Sequence, residues 1–200
     1  MAKKDSGLID DETTDLLAVL ADVGLAELAK DAGVDIPAAG TMLKMARAAR
    51  SARDYYLKKK VFRFCSRADT SSVDSKNRFS LKLASDPHFR EKVGEFIFGT
   101  LDRFDDARKA EMLGEVYRAM LEERGVTWEH VERIGRALSM LFYTDLDLFV
   151  EKRSGHATYI MESLCNAGFS ELHGEFHGGS PQYKTTDLGN LFRKVIRSEI

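Results

Sequence analysis

The sequence predicts a mainly α protein, a helical bundle that ends in one two-stranded β-hairpin held between helices. Three observations predict it. Only three prolines and fifteen glycines punctuate 200 residues, so long helices have few breaks. Apolar residues recur at three- and four-residue steps along most of the chain. Between Gly168 and Thr186 that period gives way to a strand-like mixture around His177-Gly178-Gly179-Ser180-Pro181, a turn sequence. The expected count is about six to eight helices.

Residues 1–10 read as disordered. A helix is expected from Asp10 or Asp11, with acids in its first turn and Leu16, Leu20, Val23 and Leu28 on its buried side. Gly33 closes it. Asp35-Ile36-Pro37 restarts helix, an Asp cap with proline in the first turn. From there to Arg67 only Gly40 interrupts, which predicts one long helix or two with a bend there. Residues 68–76 form a polar loop, and Asp74 or a nearby serine caps a short helix through Phe79, Leu81 and Leu83. Asp86-Pro87 opens a helix whose stripe is Phe89, Val93, Phe96, Ile97 and Leu101. After a break at residues 102–106, Ala107 to Glu123 resumes with Met112, Leu113, Val116, Tyr117, Met120 and Leu121. Gly125 is the expected C-terminal cap. Thr127 caps a helix with Trp128, Val131, Ile134, Leu138, Leu141 and Phe142 inward, and Thr144 caps Asp145 to Arg153.

The end of the chain carries the most specific pattern. Ala157 to Ala167 is helical, and Gly168 supplies a left-handed stop. A strand follows with Leu172, Gly174 and Phe176 inward, then the turn, then a return strand from Gln182 to Thr185. Thr186 or Asp187 caps a last helix with Leu188, Leu191, Phe192, Val195 and Ile196 inward. The run LCNAGFSEL…QYKTTDLGNLF resembles the ending of many prokaryotic winged-helix domains through Leu164, Gly168, Phe169, Tyr183, Thr185, Thr186, Leu188, Gly189 and Leu191. The break between Gly125 and the Trp128 helix is the expected boundary, with residues 1–125 a helical bundle and 126–200 a winged-helix-like module. The middle, from Ala84 to His130, resembles uncharacterised helical proteins of bacteria and their mobile elements, loosely those of abortive infection. That resemblance implies no catalytic residues.

Charge is segregated. Residues 1–40 carry nine acids against three lysines, while residues 41–67 carry nine bases against Asp54 alone. The bases are Lys44, Arg47, Arg50, Arg53, Lys58, Lys59, Lys60, Arg63 and Arg67, interleaved from Tyr55 onward with Tyr56, Leu57, Val61, Phe62 and Phe64. Such a helix suits a nucleic-acid backbone or an anionic membrane surface. The simpler reading is a core helix with Leu57, Val61 and Phe64 inward, its bases snorkelling and neutralised by the acidic segment at residues 10–35. If the winged-helix-like module read DNA, Ala157 to Ala167 would enter the major groove. It has no Lys or Arg from Ser154 to Pro181, only Arg153 before it and Lys184 in the return strand, with Glu162, Glu171 and Glu175 opposing phosphate. The module is therefore expected to meet proteins or to hold the C-terminus together.

Chemistry is thinly represented. His173, Glu175 and His177 alternate on one face and are legitimate zinc ligands, but three ligands on one exposed strand lack supporting partners. His88 and His130 stand alone. Asp102, Asp105 and Asp106 sit beside Arg103 and Arg108, which favours caps and ion pairs. No phosphate loop, nucleophile elbow or paired cysteine is present, so no cofactor is expected. Cys65 and Cys165 make no disulfide framework. No signal peptide or apolar run of membrane-spanning length is seen, so a cytoplasmic protein is expected, working through a protein partner or as a homo-oligomer.

Overall fold

The computed structural model describes residues 52–151, 157–174 and 181–197, with side chains from Tyr56 onward. Within them run α1 (Ala52–Ala68), α2 (Val73–Ser85), α3 (Pro87–Arg103), α4 (Ala107–Leu121), α5 (Trp128–Met140), α6 (Tyr143–Glu151) and α7 (Thr158–Asn166). Strands β1 (Ser170–Leu172) and β2 (Tyr183–Thr185) follow, and α8 (Asp187–Arg197) closes the described chain. The strands pair antiparallel, Ser170 opposite Thr185 and Leu172 opposite Tyr183. The helical bundle and single hairpin expected from the sequence are thus observed. The helix starts at Asp10 and Asp35, the bend at Gly40 and the tip of the turn lie outside the described residues.

The starts of these helices follow from side chains that accept a free first-turn N–H. Ser72 accepts from Ser75 N at 3.2 Å, and Asp86 from Phe89 N at 2.9 Å with Pro87 in the first turn. Asp106 accepts from Arg108 N at 2.8 Å, and Thr127 from His130 N at 3.4 Å. Thr186 accepts from Gly189 N at 3.2 Å while its own hydroxyl donates to Gly168 O at 2.7 Å.

The central helix is α4. It lies along α1 and also touches α2, α5 and α8. Its Leu113, Val116 and Tyr117 are sealed from solvent, and so are Val61 of α1, Val93 and Ile97 of α3, and Ile134 and Leu138 of α5. The apolar cluster continues on both sides of Gly125 into Phe149, Phe169 and Phe192. Trp128 sits edge-on to Phe89 and Phe96, with centroids 5.8 and 5.6 Å away.

Four local expectations are corrected. The left-handed residue that ends α4 is Glu123 (φ 56°); Gly125 is left-handed too (φ 74°) but follows two residues later. The Glu123 N–H donates to Met120 O and the next N–H, Arg124, to Ala119 O, which closes the helix two residues early. A non-glycine residue there carries steric strain of about 1 kcal/mol. Glu123→Gly should therefore raise the urea midpoint by the equivalent of about 0.5 kcal/mol, after the entropy glycine adds to the unfolded chain. Second, α6 begins at Tyr143, because Asp145 N and Leu146 N both donate to Phe142 O, so Thr144 does not cap it. Third, Phe142 itself is 69% exposed: it stands outside the first turn of α6 and no longer follows the α5 stripe. Fourth, Leu172 is 52% exposed. The last covered position of β1 is Ser170, whose hydroxyl donates to Met161 O of α7 at 2.8 Å; Glu171 to Gly174 after it are exposed.

Candidate interaction surfaces

On α1 the apolar face is as the spacing predicts, with Leu57, Val61 and Phe64 buried. Three of the five bases whose side chains are described on this helix are engaged within the fold. The buried Lys60 donates to Asp102 O at the end of α3, 3.2 Å away. Arg63 pairs with Glu111 at 2.6 Å and Arg67 approaches Glu115 at 3.3 Å, both on α4. These partners are not the acids of residues 10–35, which lie outside the described residues. Lys59 is exposed beside Phe62 and Tyr56, and Lys58 is half-buried. Lys44, Arg47, Arg50, Arg153 and the side chain of Arg53 lie outside the described residues. Lys184 belongs to the hairpin and pairs with Glu171 at 2.8 Å.

Two arginines flank Glu115 without satisfying it. Arg67 and Arg118 each come to 3.3 Å, but neither makes a directed hydrogen bond to the buried carboxylate oxygens. Burial consequently outweighs the attraction of Arg118, Arg67 and Arg124, and the carboxyl is pushed above its ordinary value. A carboxyl raised in the folded state binds its proton more tightly there than in the unfolded chain. Its contribution is therefore best below the ordinary value of 4.5 and declines as pH rises through the folded value. Glu115→Gln removes this decline. Urea midpoints measured from pH 4.5 to 7 should show the variant gaining on the parent as pH rises, then levelling.

The carboxylates between α3 and α4 serve the fold. Asp106 caps α4 and binds Arg108, Nη2 to Oδ2 at 2.5 Å, and that hydrogen bond holds its carboxyl below the usual range. Asp105 meets Lys109 at 2.5 Å, and Lys109 also donates to Leu141 O at the end of α5. The Cys65 thiol is pushed up to about 12, first by burial and then by Asp69, which leaves it protonated at neutral pH. His173 is exposed, and its N–H donates to Gln182 O; Glu175 and His177 lie outside the described residues. Among the described residues no three metal-ligating side chains converge. None of the helices there is long and apolar enough to cross a membrane.

The C-terminal elements present two surfaces. Gly168 (φ 83°) ends α7, with Gly168 N donating to Cys165 O and Phe169 N to Leu164 O. This turns Phe169 into a stack with Phe149 (5.8 Å) and Phe192 (4.9 Å). Gly189 lets α8 pass against the same turn: a Cβ there would stand 2.3 Å from Phe169 O. With Ile160 and Leu164 buried, α7 turns Tyr159, Glu162 and Asn166 outward. Tyr159 is 65% exposed. On the opposite side of the hairpin lies a groove of about 700 Å³, walled by His130 and Arg133 of α5 and by Glu171, Lys184 and Asp187, with Leu188 and Leu191 beneath.

His130 is read from sequence as an isolated histidine. It is a capping-box residue: its Nδ1 accepts from Thr127 N at 3.1 Å. The spacing Thr127-x-x-His130 was the available signal. The groove had no comparable sequence signal, because its walls come from separate elements. No protein-family model matches the chain, and neither a search of curated proteins nor one of solved structures found a match.

Proposed function

We propose that this chain is a non-enzymatic interaction protein of regulatory kind, whose winged-helix-like C-terminal unit meets another protein or a second copy of the chain. The observation that carries this reading is the outward face of α7. It offers Tyr159 and Glu162 without a single base, beside the exposed Leu172 of the hairpin. Exposed aromatic and aliphatic side chains beside polar ones favour protein contact, whereas duplex binding depends on neutralised phosphates. Lys60, Arg63 and Arg67 add to this reading because each has a partner inside the fold. The resemblance of the middle of the chain to proteins of bacteria and mobile elements points to a defence-associated regulator.

A photo-crosslinking residue placed at position 159 in the producing cell tests it, with the exposed Asn77 of α2 as control position. The expected result is a discrete protein adduct at 159 that is absent at 77 and lost in Leu172→Glu. Equal labelling at both positions, or none at 159, would remove the reading.

A further inference from the structure

We infer that the groove between α5 and the hairpin binds a short acidic peptide segment, a carboxylate with an aliphatic neighbour. The inference rests on the reading of the C-terminal unit as a protein-contact module and names the chemistry of what it takes.

Several polar groups around the groove are already used. Glu171 is held by Lys184 at 2.8 Å. Asp187 lies in the first turn of α8, where the helix end favours its charge, and it also acts on Lys184. The N-terminus of α8 is capped by Thr186 and is not free for a ligand. The acids of the groove therefore have cations or a helix end to face. The donors on the opposite wall do not. Arg133 is exposed and has no hydrogen bond or ion pair among the described residues. His130, half-buried, accepts from Thr127 N through Nδ1, so the neutral ring carries its proton on Nε2. Arg133 and His130 stand three apart on α5, hence on one face. A guanidinium fork with an adjacent imidazole N–H suits a carboxylate.

The size and floor favour a peptide. A volume of about 700 Å³ lies in the ordinary range of ligand sites. Leu188 and Leu191 line it beside the polar walls, giving an aliphatic side chain of the ligand an apolar seat. With Lys184 held by Glu171, Arg133 is, among the described residues, the one groove cation left to meet an anion, which suits a single carboxylate and falls short of the row of bases a polynucleotide needs. Binding is carried by one charged fork in a solvent-open site, so it is weak and sensitive to salt.

The test uses the full chain, isotope-labelled and observed by amide NMR. The probe is the capped peptide Ala-Leu-Glu-Leu-Ala, compared with the same peptide carrying Gln for Glu and with a twelve-nucleotide oligothymidylate. The expected result is saturable shifts confined to residues lining the groove, Gly125, His130, Arg133 and Lys184 to Leu188, with the Glu peptide. Affinity should fall about tenfold with the Gln peptide and about tenfold in Arg133→Ala, with partial recovery in Arg133→Lys. Arg133 is exposed, so an unchanged amide spectrum for Arg133→Ala outside its neighbours checks the fold. No shifts at millimolar peptide, equal binding of both peptides, shifts elsewhere, or tighter binding of the oligonucleotide would each overturn the inference. The crosslink at position 159 needs no groove, and the titration needs no cellular partner, so the two readings fail separately.

Discussion

Phe169→Ala is expected to lower the stability of the chain by about 3–5 kcal/mol, the range for emptying a buried aromatic site. The ring is sealed from solvent and stacked nearly parallel between Phe149 and Phe192, at interplanar angles of 9° and 15°. The backbone around it has little freedom to collapse into the space. Phe169 N donates to Leu164 O, and Phe169 O accepts from Thr186 N at 3.0 Å and lies against Gly189. The cavity should therefore persist. Urea unfolding followed by circular dichroism measures it, with Phe169→Leu losing less, about 1.5 kcal/mol. A loss under 1 kcal/mol in the alanine variant would mean that the hairpin is not held by this stack. The same variant should blur the face formed by Tyr159 and Leu172, since Phe169 is the residue that joins α7 to the hairpin.

Lys109→Met is expected to cost about 3 kcal/mol, although methionine replaces the stem of the lysine well. The lysine side chain is 1% exposed. Its ammonium donates to the carbonyl of Leu141, the residue that ends α5, and pairs with Asp105. Placing a cation at a helix C-terminus satisfies a carbonyl that has no partner of its own within the helix. Without the amine that carbonyl is left without a donor in an apolar setting. Asp105→Asn should cost far less, under about 1 kcal/mol, because its side chain is 57% exposed and water replaces the lysine. Urea midpoints of the two variants distinguish the roles: the carbonyl, not the exposed carboxylate, makes Lys109 necessary.

Much of the architecture was legible in local chemistry. Asp86-Pro87, Thr127 and Thr186 each announced a helix start, and each side chain accepts the expected N–H. Gly168 announced the stop of α7 and adopts the positive φ that such a stop needs. The stripe from Phe89 to Leu101 lies on one face because 3.6-residue periodicity records burial directly. What was misread depends on the partner across the fold. Phe142 continues the spacing of α5, yet the chain leaves the helix at Leu141 and the next turn begins at Tyr143. Leu172 lies on the same face of the strand as Ser170, yet among the described residues cover ends at that serine and Glu171 to Gly174 are exposed. At the end of α4 the sequence favours Gly125, glycine being the usual left-handed residue, whereas the hydrogen bonds of Glu123 and Arg124 set the end of the helix. For the surfaces, the bases of α1 were visible, but their engagement by Glu111, Glu115 and Asp102 is long-range pairing that no local pattern records. The groove is likewise assembled from α5, β1, β2 and α8, four elements whose meeting is a property of the fold.

In the function proposed above, the cationic helix serves the bundle and contact is made by the C-terminal unit through groups other than phosphate-neutralising bases. Fluorescence anisotropy of a labelled 20-base-pair duplex and its single strand, titrated with the full chain at 50 and 200 mM salt, tests this most directly. The expected result is binding no tighter than about 10⁻⁴ M at either salt, the weak end of non-specific association, and no change in Lys58→Glu/Lys59→Glu. A dissociation constant near 10⁻⁶ M that weakens steeply with salt and is lost in that double variant would contradict it.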